Sequence, residues 1–363
     1  MEPSAPTTQD RPGRNAVRAR DPVTEEAARR ARVEGGNAVD MVLAGLLAGA
    51  TRAGEAALLG GGGLLVVGPG VGHHFIDGRP RAPGLRARRR LRKPEVVPDH
   101  WTAAVPGLLP AVIAAQTRFG ELTLQQLVQV SAGALRDDGA DPATRARMKF
   151  LDRFARIGVD AFAREGIWRA VMDAAGPVAE GLFTDDDLVA VAAPVVPLPA
   201  CTDGEHEAFT PPRGRLHGPQ SPDPLPEHPM EGVVAADMHG VTAAACWCVP
   251  PTAATLDTPY ALGLASILPA PRKGVARYSP GSRLPLALPL AVLRTGGRAW
   301  AGCALSGGGS LVAARDRAVG ERLGAAGIGL TLGDDLAAAA HGVAAWVVRD
   351  ADGDRITTAL ASV

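Results

Sequence analysis

The side chains that could do chemistry in this 363-residue chain are few, and the first question is whether any has a partner. Cys246 and Cys248 stand two apart, so on a strand they share one face, and Cys303 lies in a second apolar run. A thiol becomes a nucleophile only as the thiolate, which needs a base or cation beside it. Cysteine is also among the most buried residue types, so structural thiols are the plainer reading. With Cys201 the four cysteines form neither a disulfide framework nor the paired CxxC knuckles of a zinc site. His73 and His74 are adjacent, which on a strand aims them at opposite faces and argues against one shared metal. His228 and His239 stand alone. Asp185 to Asp187 reads as a turn and N-cap cluster. No metal and no cofactor are expected.

Stepping outward to the elements, PVTEEAARRAR from Pro22 is a helix with Thr24 as its N-cap, and GGNAVDMVLAGLLAGA starts a second, buried helix after a two-glycine stop. GGGGLLVVG (60–68) and GHHFIDGR (72–79) form a hairpin, closed by Asp77 and Gly78 as turn residues. Pro106 to Asp187 is helical, broken by glycines at plausible C-termini. The proline-rich stretch 195–229 has the composition of an extended loop. After it come strands at EGVVAAD, GVTAAACWCV, ALPLAVLRTGG and RAWAGCALSGGG, a helix at LVAARDRAVGERLGAAG, and closing strands at GVAAWVVRD and DRITTALA. This is an α+β chain whose sheets need both halves.

Composition narrows the partners. Lys plus Arg equals Asp plus Glu at 38 each, which excludes an overall field for nucleic acid or a membrane surface. Lysine occurs only at Lys93, Lys149 and Lys273. No apolar leader region and no run of about 18 apolar residues is present, so a cytoplasmic protein is expected.

Several strings occur together in the order and spacing of one family: EEAARRARVEGGNAVDMVLAGLLAGA, GGGGLLVV, DGRPRAP, VPGLLPAVIAAQTRFGELTLQQLV, AEGLFTDDDLVAV, VVAADMHGV, PGSRLPLALP and ALSGGGS. Over about residues 20 to 320 the chain resembles the gamma-glutamyltranspeptidase (glutathione hydrolase) family of N-terminal nucleophile hydrolases. That resemblance implies a four-layer αββα sandwich, truncated here, in which a precursor cuts itself before a threonine. It implies residues 1–20 as a disordered arm and 21–363 as a single domain. Within that domain lie a large-subunit-like half (21–194), the proline-rich loop (195–229) and a small-subunit-like half (230–363). In the family the threonine hydroxyl attacks, its own α-amine takes the proton, backbone N–H groups hold the oxyanion, and an arginine grips the substrate carboxylate. Arg79 falls on that arginine, and Gly308 and Gly309 fall on the glycines of the oxyanion hole, at a helix N-terminus.

The departures are as specific as the matches. The threonine position, five residues before Val233, is His228, with Pro226, Glu227, Pro229 and Met230 around it; no hydroxyl or thiol lies within four positions. Histidine can take a proton but cannot form the stable γ-glutamyl ester. The polar side chains for the substrate's amino end fall at Ala244, Cys246 and Cys248, and the paired serines are replaced by Pro285, Leu286 and Ala287. The expectation is therefore a γ-glutamyltranspeptidase-like protein without hydrolase or transpeptidase activity, which binds a small carboxylate or amide. It would act alone, as a homo-oligomer, or as partner subunit to an intact homologue, without self-cleavage. The alternative is an enzyme repurposed for a small amide or amino-acid-like metabolite.

Overall fold

A period of two in two neighbouring strands divides the molecule into its layers. The computed structural model describes residues 15–85, 97–189, 192–203, 206–212, 228–270, 278–286, 288–295, 298–308, 341–349 and 356–362. In β7 (Met230–Ala236) and β8 (Thr242–Cys248), Val233, Ala235, Ala243, Ala245 and Trp247 face a core shared with helices. Their neighbours Val234, Ala236, Ala244, Cys246 and Cys248 face a second core made only by strands and loops. The antiparallel hairpin of β2 (Gly62–Gly68) and β3 (Gly72–Gly78) repeats the split, with Leu64, Val66 and Ile76 on one side and Leu65, Val67 and Phe75 on the other. Strands buried on both faces read as continuous apolar runs, which is why these segments alternate so weakly in sequence.

The first sheet runs β4 (Val195–Pro197), β3, β2, β8, β7, with β1 (Ala16–Ala19) antiparallel to the C-terminal half of β7. The second runs β5 (Cys201–Asp203), β6 (His206–Phe209), β11 (Leu290–Thr295), β12 (Arg298–Gly308), β13 (His341–Arg349), β14 (Ile356–Ser362). A separate two-stranded ribbon joins β9 (Thr252–Thr255) and β10 (Gly263–Ala265). Met230 of β7 pairs with Gly307 of β12, so the ladder passes from one sheet to the other at that point while their inner faces pack on each other. On the outer face of the first sheet lie α1 (Pro22–Val33), α2 (Ala38–Ala53), α3 (Leu108–Phe119) and α4 (Leu124–Asp137). Beyond them come α5 (Pro142–Ile157), α6 (Asp160–Arg164), α7 (Ile167–Ala175) and α8 (Asp185–Val189). This is an α+β sandwich of helix, sheet and sheet. The helix expected near 311–327, which would cover the second sheet, lies outside the described residues.

The structure differs from the sequence reading in several places. Residues 16–19 are not part of a disordered arm: they form β1, a strand too short to show a period. The N-cap of α1 is Asp21, whose carboxylate accepts from the Thr24 N–H at 2.9 Å, because Pro22 takes the first helical position. Within the helical stretch 106–187, Gly158 and Gly166, with φ of 63° and 73°, are two of the breaks and separate α5, α6 and α7. The stretch expected as a loop from 195 carries β4, β5 and β6 and crosses from the rim of one sheet to the rim of the other. Its prolines are compatible with this because β4 is an edge strand. In β6, Glu207 stands opposite Arg294 of β11 and is ion-paired to it, which holds the Glu207 carboxyl below its ordinary range. No described helix is long and apolar enough to cross a membrane.

Two helical glycines give opposite expectations. A Cβ on Gly49 of α2 would lie 2.3 Å from Cζ2 of Trp247 and 2.6 Å from Oγ1 of Thr24, and the indole is walled in. Gly133 of α4 faces only the tip of Arg30 at 2.9 Å. Gly49→Ala is expected to lose about 1–3 kcal/mol by overpacking, outweighing the helix gain. Gly133→Ala should gain up to about 1 kcal/mol. Urea unfolding of the two variants measures both signs.

Candidate functional site

The inner face of β3 continues past its end, so that Phe75, Asp77 and Arg79 lie in line at period two. Asp77 is fully buried and Arg79 is 2% exposed. Arg79 Nε and Nη2 donate to the two carboxylate oxygens of Asp77 at 2.9 and 2.7 Å, Nη1 donates to the Pro212 carbonyl at 3.3 Å, and the guanidinium sits 5.6 Å from the Phe75 ring centroid. The fork that could hold a substrate carboxylate thus holds one from its own hairpin. Asp77 is a strand residue, not the turn residue expected: paired with Gly63, it closes nothing and instead neutralises Arg79.

A second arginine locks this arrangement. Arg283, in PGSR, donates through Nη1 to the carbonyls of Asp77 and Arg79, both at 2.9 Å, and through Nη2 to that of Ala192 at 2.8 Å; its Nε lies 3.6 Å from Asp77 Oδ2. Burial lowers the Arg283 pKa, and Asp77 opposes that shift. The acidic run is more than a cap. Asp187, fully buried, accepts from the N–H groups of Thr184, Gly84 and Leu85 at 2.9, 2.7 and 3.0 Å, tying α8 to the chain that follows Arg79.

The start of β7 lies at the same end of the inter-sheet layer. His228 is 9% exposed. Its Nε2 has no hydrogen-bond partner, and burial lowers its pKa while the neighbouring Ile267 backbone opposes that shift. The Pro229 carbonyl accepts from Val249 N–H at 2.8 Å, and Met230 meets Gly307, whose φ of 139° is a glycine conformation. Between the Gly307 contact and the β1 ladder, the N–H of Gly232 has no strand partner. The Ser306 hydroxyl accepts from it at 3.0 Å and also bonds Glu231, whose own pKa burial raises. Gly308 is the last residue of β12, paired with His341, and so lies beside the start of β7 as a strand residue. Gly309 lies outside the described residues.

Across the first sheet from Arg79 to His228 the intervening strand ends are β2 and β8, a span of about three strand spacings or ~14 Å. Ala244, Cys246 and Cys248 are buried on the inner face of β8. Cys248 sulfur accepts from the Gly61 N–H at 3.3 Å, and burial pushes its thiol up to about 11. His73 packs on Phe209 of β6 at 4.8 Å and His74 on Phe119 of α3 at 5.2 Å, opposite sides of the sheet as their adjacency requires. Among the described residues no cluster of three or more potential metal ligands occurs. The structure therefore gathers His228, Gly307, Gly308 and Ser306, and gives Arg79 a different set of partners. Sequence reading missed Asp77 and Arg283 as those partners, although the Asp-x-Arg spacing, which puts both side chains on one strand face, carried the signal.

Two solved structures show the same fold along nearly the whole chain. LmbA2991T421A aligns at a TM-score of 0.66 and 13% identity, covering 99% of this chain and 98% of that one. The cephalosporin acylase from Bacillus halodurans aligns at 0.62 and 12%, covering 99% and 97%. Residues 25–164 match the gamma-glutamyltranspeptidase family model, and over that stretch the chain is similar to that family. No curated protein matches its sequence.

Two measurements follow. Asp77→Ala strands the buried Arg79 guanidinium and the half-buried Arg283 and should cost about 3–5 kcal/mol, with Asp77→Asn costing less because the hydrogen-bond acceptor is kept. His228 is neutral in the fold, so between its ordinary pKa and its lower folded value the unfolded chain binds more protons and stability falls as pH falls. His228→Gln should therefore lose less stability than the wild type between about pH 7 and about pH 5 in urea unfolding.

Proposed function

We propose that this chain is a catalytically silent γ-glutamyltranspeptidase-like protein that keeps the sandwich as a small-molecule binding or partner subunit. The observation that carries this is the identity and setting of His228. The residue at the nucleophile position has no hydroxyl or thiol, and neither nearby candidate replaces it. The Ser306 hydroxyl is committed to Gly232 N–H and Glu231, and the Cys248 thiol stays protonated at neutral pH. Acyl transfer needs an activated nucleophile with a base in reach. Self-cleavage needs the same side chain to attack the preceding carbonyl, so the chain has no means to begin it. The buried Arg79 and Asp77 pair supports the same reading, since a γ-glutamyl α-carboxylate would have to displace an internal one.

Purified protein should have the intact mass of 37.3 kDa, without fragments 1–227 and 228–363, and should not hydrolyse a γ-glutamyl anilide above a buffer blank. A mature N-terminus at residue 228 or at a Ser, Thr or Cys upstream of it, or turnover of the anilide, would refute the proposal. A thermal-shift screen with amino-acid carboxylates and amides then tests the binding role.

A further inference from the structure

We infer that Arg81, backed by Arg283, forms a binding site for a phosphate group on the helix side of the chain that follows β3. The inference goes beyond the binding role just proposed and does not rest on it, because this face is turned away from the inter-sheet layer. Arg81 forms isolated antiparallel bridges to Val105 on one side and to Arg283 on the other. Toward Val105 the two residues exchange both backbone hydrogen bonds, at 3.1 and 2.9 Å. Toward Arg283 the bonds pass on either side of the pair, from Ala82 N–H to the Ser282 carbonyl and from Leu284 N–H to the Pro80 carbonyl, both at 2.9 Å. Arg81 and Arg283 are therefore a non-hydrogen-bonded cross-strand pair, the kind whose side chains leave on the same face and approach most closely. Period two settles which face: Ala82, Ala104 and Leu284 belong to the inter-sheet core, and Val105 to the core shared with the helices.

Like charges directly opposite each other destabilise a sheet, and no described carboxylate is placed between these two. Asp77 is taken by both sides of the Arg79 fork and lies 3.6 Å from Arg283 Nε. Asp187 bonds Arg81 only through its backbone carbonyl, at 3.3 Å from Nη2, while its carboxylate accepts from the N–H groups of Thr184, Gly84 and Leu85. Among the described residues the Arg81 guanidinium makes that one long hydrogen bond and no ion pair, which leaves most of its donor fork unspent. Both side chains keep an edge in solvent, Arg81 half-buried and Arg283 with 18% of its side chain exposed, so an anion reaches them from outside. A phosphate group suits the pair better than a carboxylate. It brings about two negative charges and three acceptor oxygens, enough to fill the Arg81 fork and still face Arg283.

Thermal unfolding of the whole chain in sodium phosphate, sodium acetate and sodium chloride, at matched pH and ionic strength, reads this site. Millimolar phosphate should raise the melting temperature of the wild type saturably, and acetate and chloride should not. Arg81→Gln should melt higher than the wild type in chloride, because the like-charge pair is gone, and its response to phosphate should shrink at least severalfold. Arg81→Lys keeps the charge and loses the fork, so it should melt like the wild type in chloride and respond to phosphate more weakly. A wild type that phosphate stabilises no more than chloride does, an equal response to acetate, or a full phosphate response in both variants would each overturn the inference.

Discussion

One buried carboxylate holds together the end of the sandwich where the site lies. Asp77 binds Arg79 through two oxygens, and Arg283 reaches the same carboxylate and the carbonyls on either side of it. Through those contacts the hairpin of β2 and β3, the loop at 279–284 and the chain at Ala192 and at Pro212 are fastened to one point. Two guanidiniums on one carboxylate leave local positive charge, and burial that is unfavourable for each alone becomes acceptable because each nitrogen finds an oxygen. The same arrangement that secures the fold withdraws Arg79 from any outside anion. Stability and binding compete for one side chain, and here stability has it.

The fate of the candidate site follows from the same economy of polar groups. The inner layer between the sheets is lined by alanine, cysteine, leucine and valine, and its polar members are each tied locally: Ser306 to Gly232, Cys248 to Gly61, Asp77 to the arginines. A site for acyl transfer keeps donors and a nucleophile uncommitted so that they can meet a reacting carbonyl. His73 and His228 depart from this, each with a buried ring nitrogen that has no hydrogen-bond partner.

How much of this could be read from sequence depends on what each element's signal measures. The long amphipathic helices, the β2–β3 hairpin and strands β7, β8, β11 and β12 were legible because apolar periodicity and glycine stops act locally. The strands β1, β4, β5 and β6 were not. Each has three or four residues; β1, β4 and β6 owe their conformation to a partner far away in sequence, such as Arg294 for Glu207 or Ala236 for Ala16, and β5 pairs with β6 in turn. Strand formation of that kind is decided by tertiary pairing, which no local window contains. The site divides in the same way. The missing hydroxyl at position 228 could be read from residue identity, while the diversion of Arg79 depended on burial and on Arg283, 204 residues away.

The crossing of β4, β5 and β6 between the sheets has a topological consequence. β1 to β4 come from the chain before residue 212, yet β2 and β1 are zipped to β8 and β7 from beyond residue 228, and β6 is likewise zipped to β11. The two halves are interlaced along three separate ladders instead of lying side by side. A break anywhere between Pro212 and His228 would thus leave the pieces laced into one body, so covalent continuity at that junction is dispensable for the architecture.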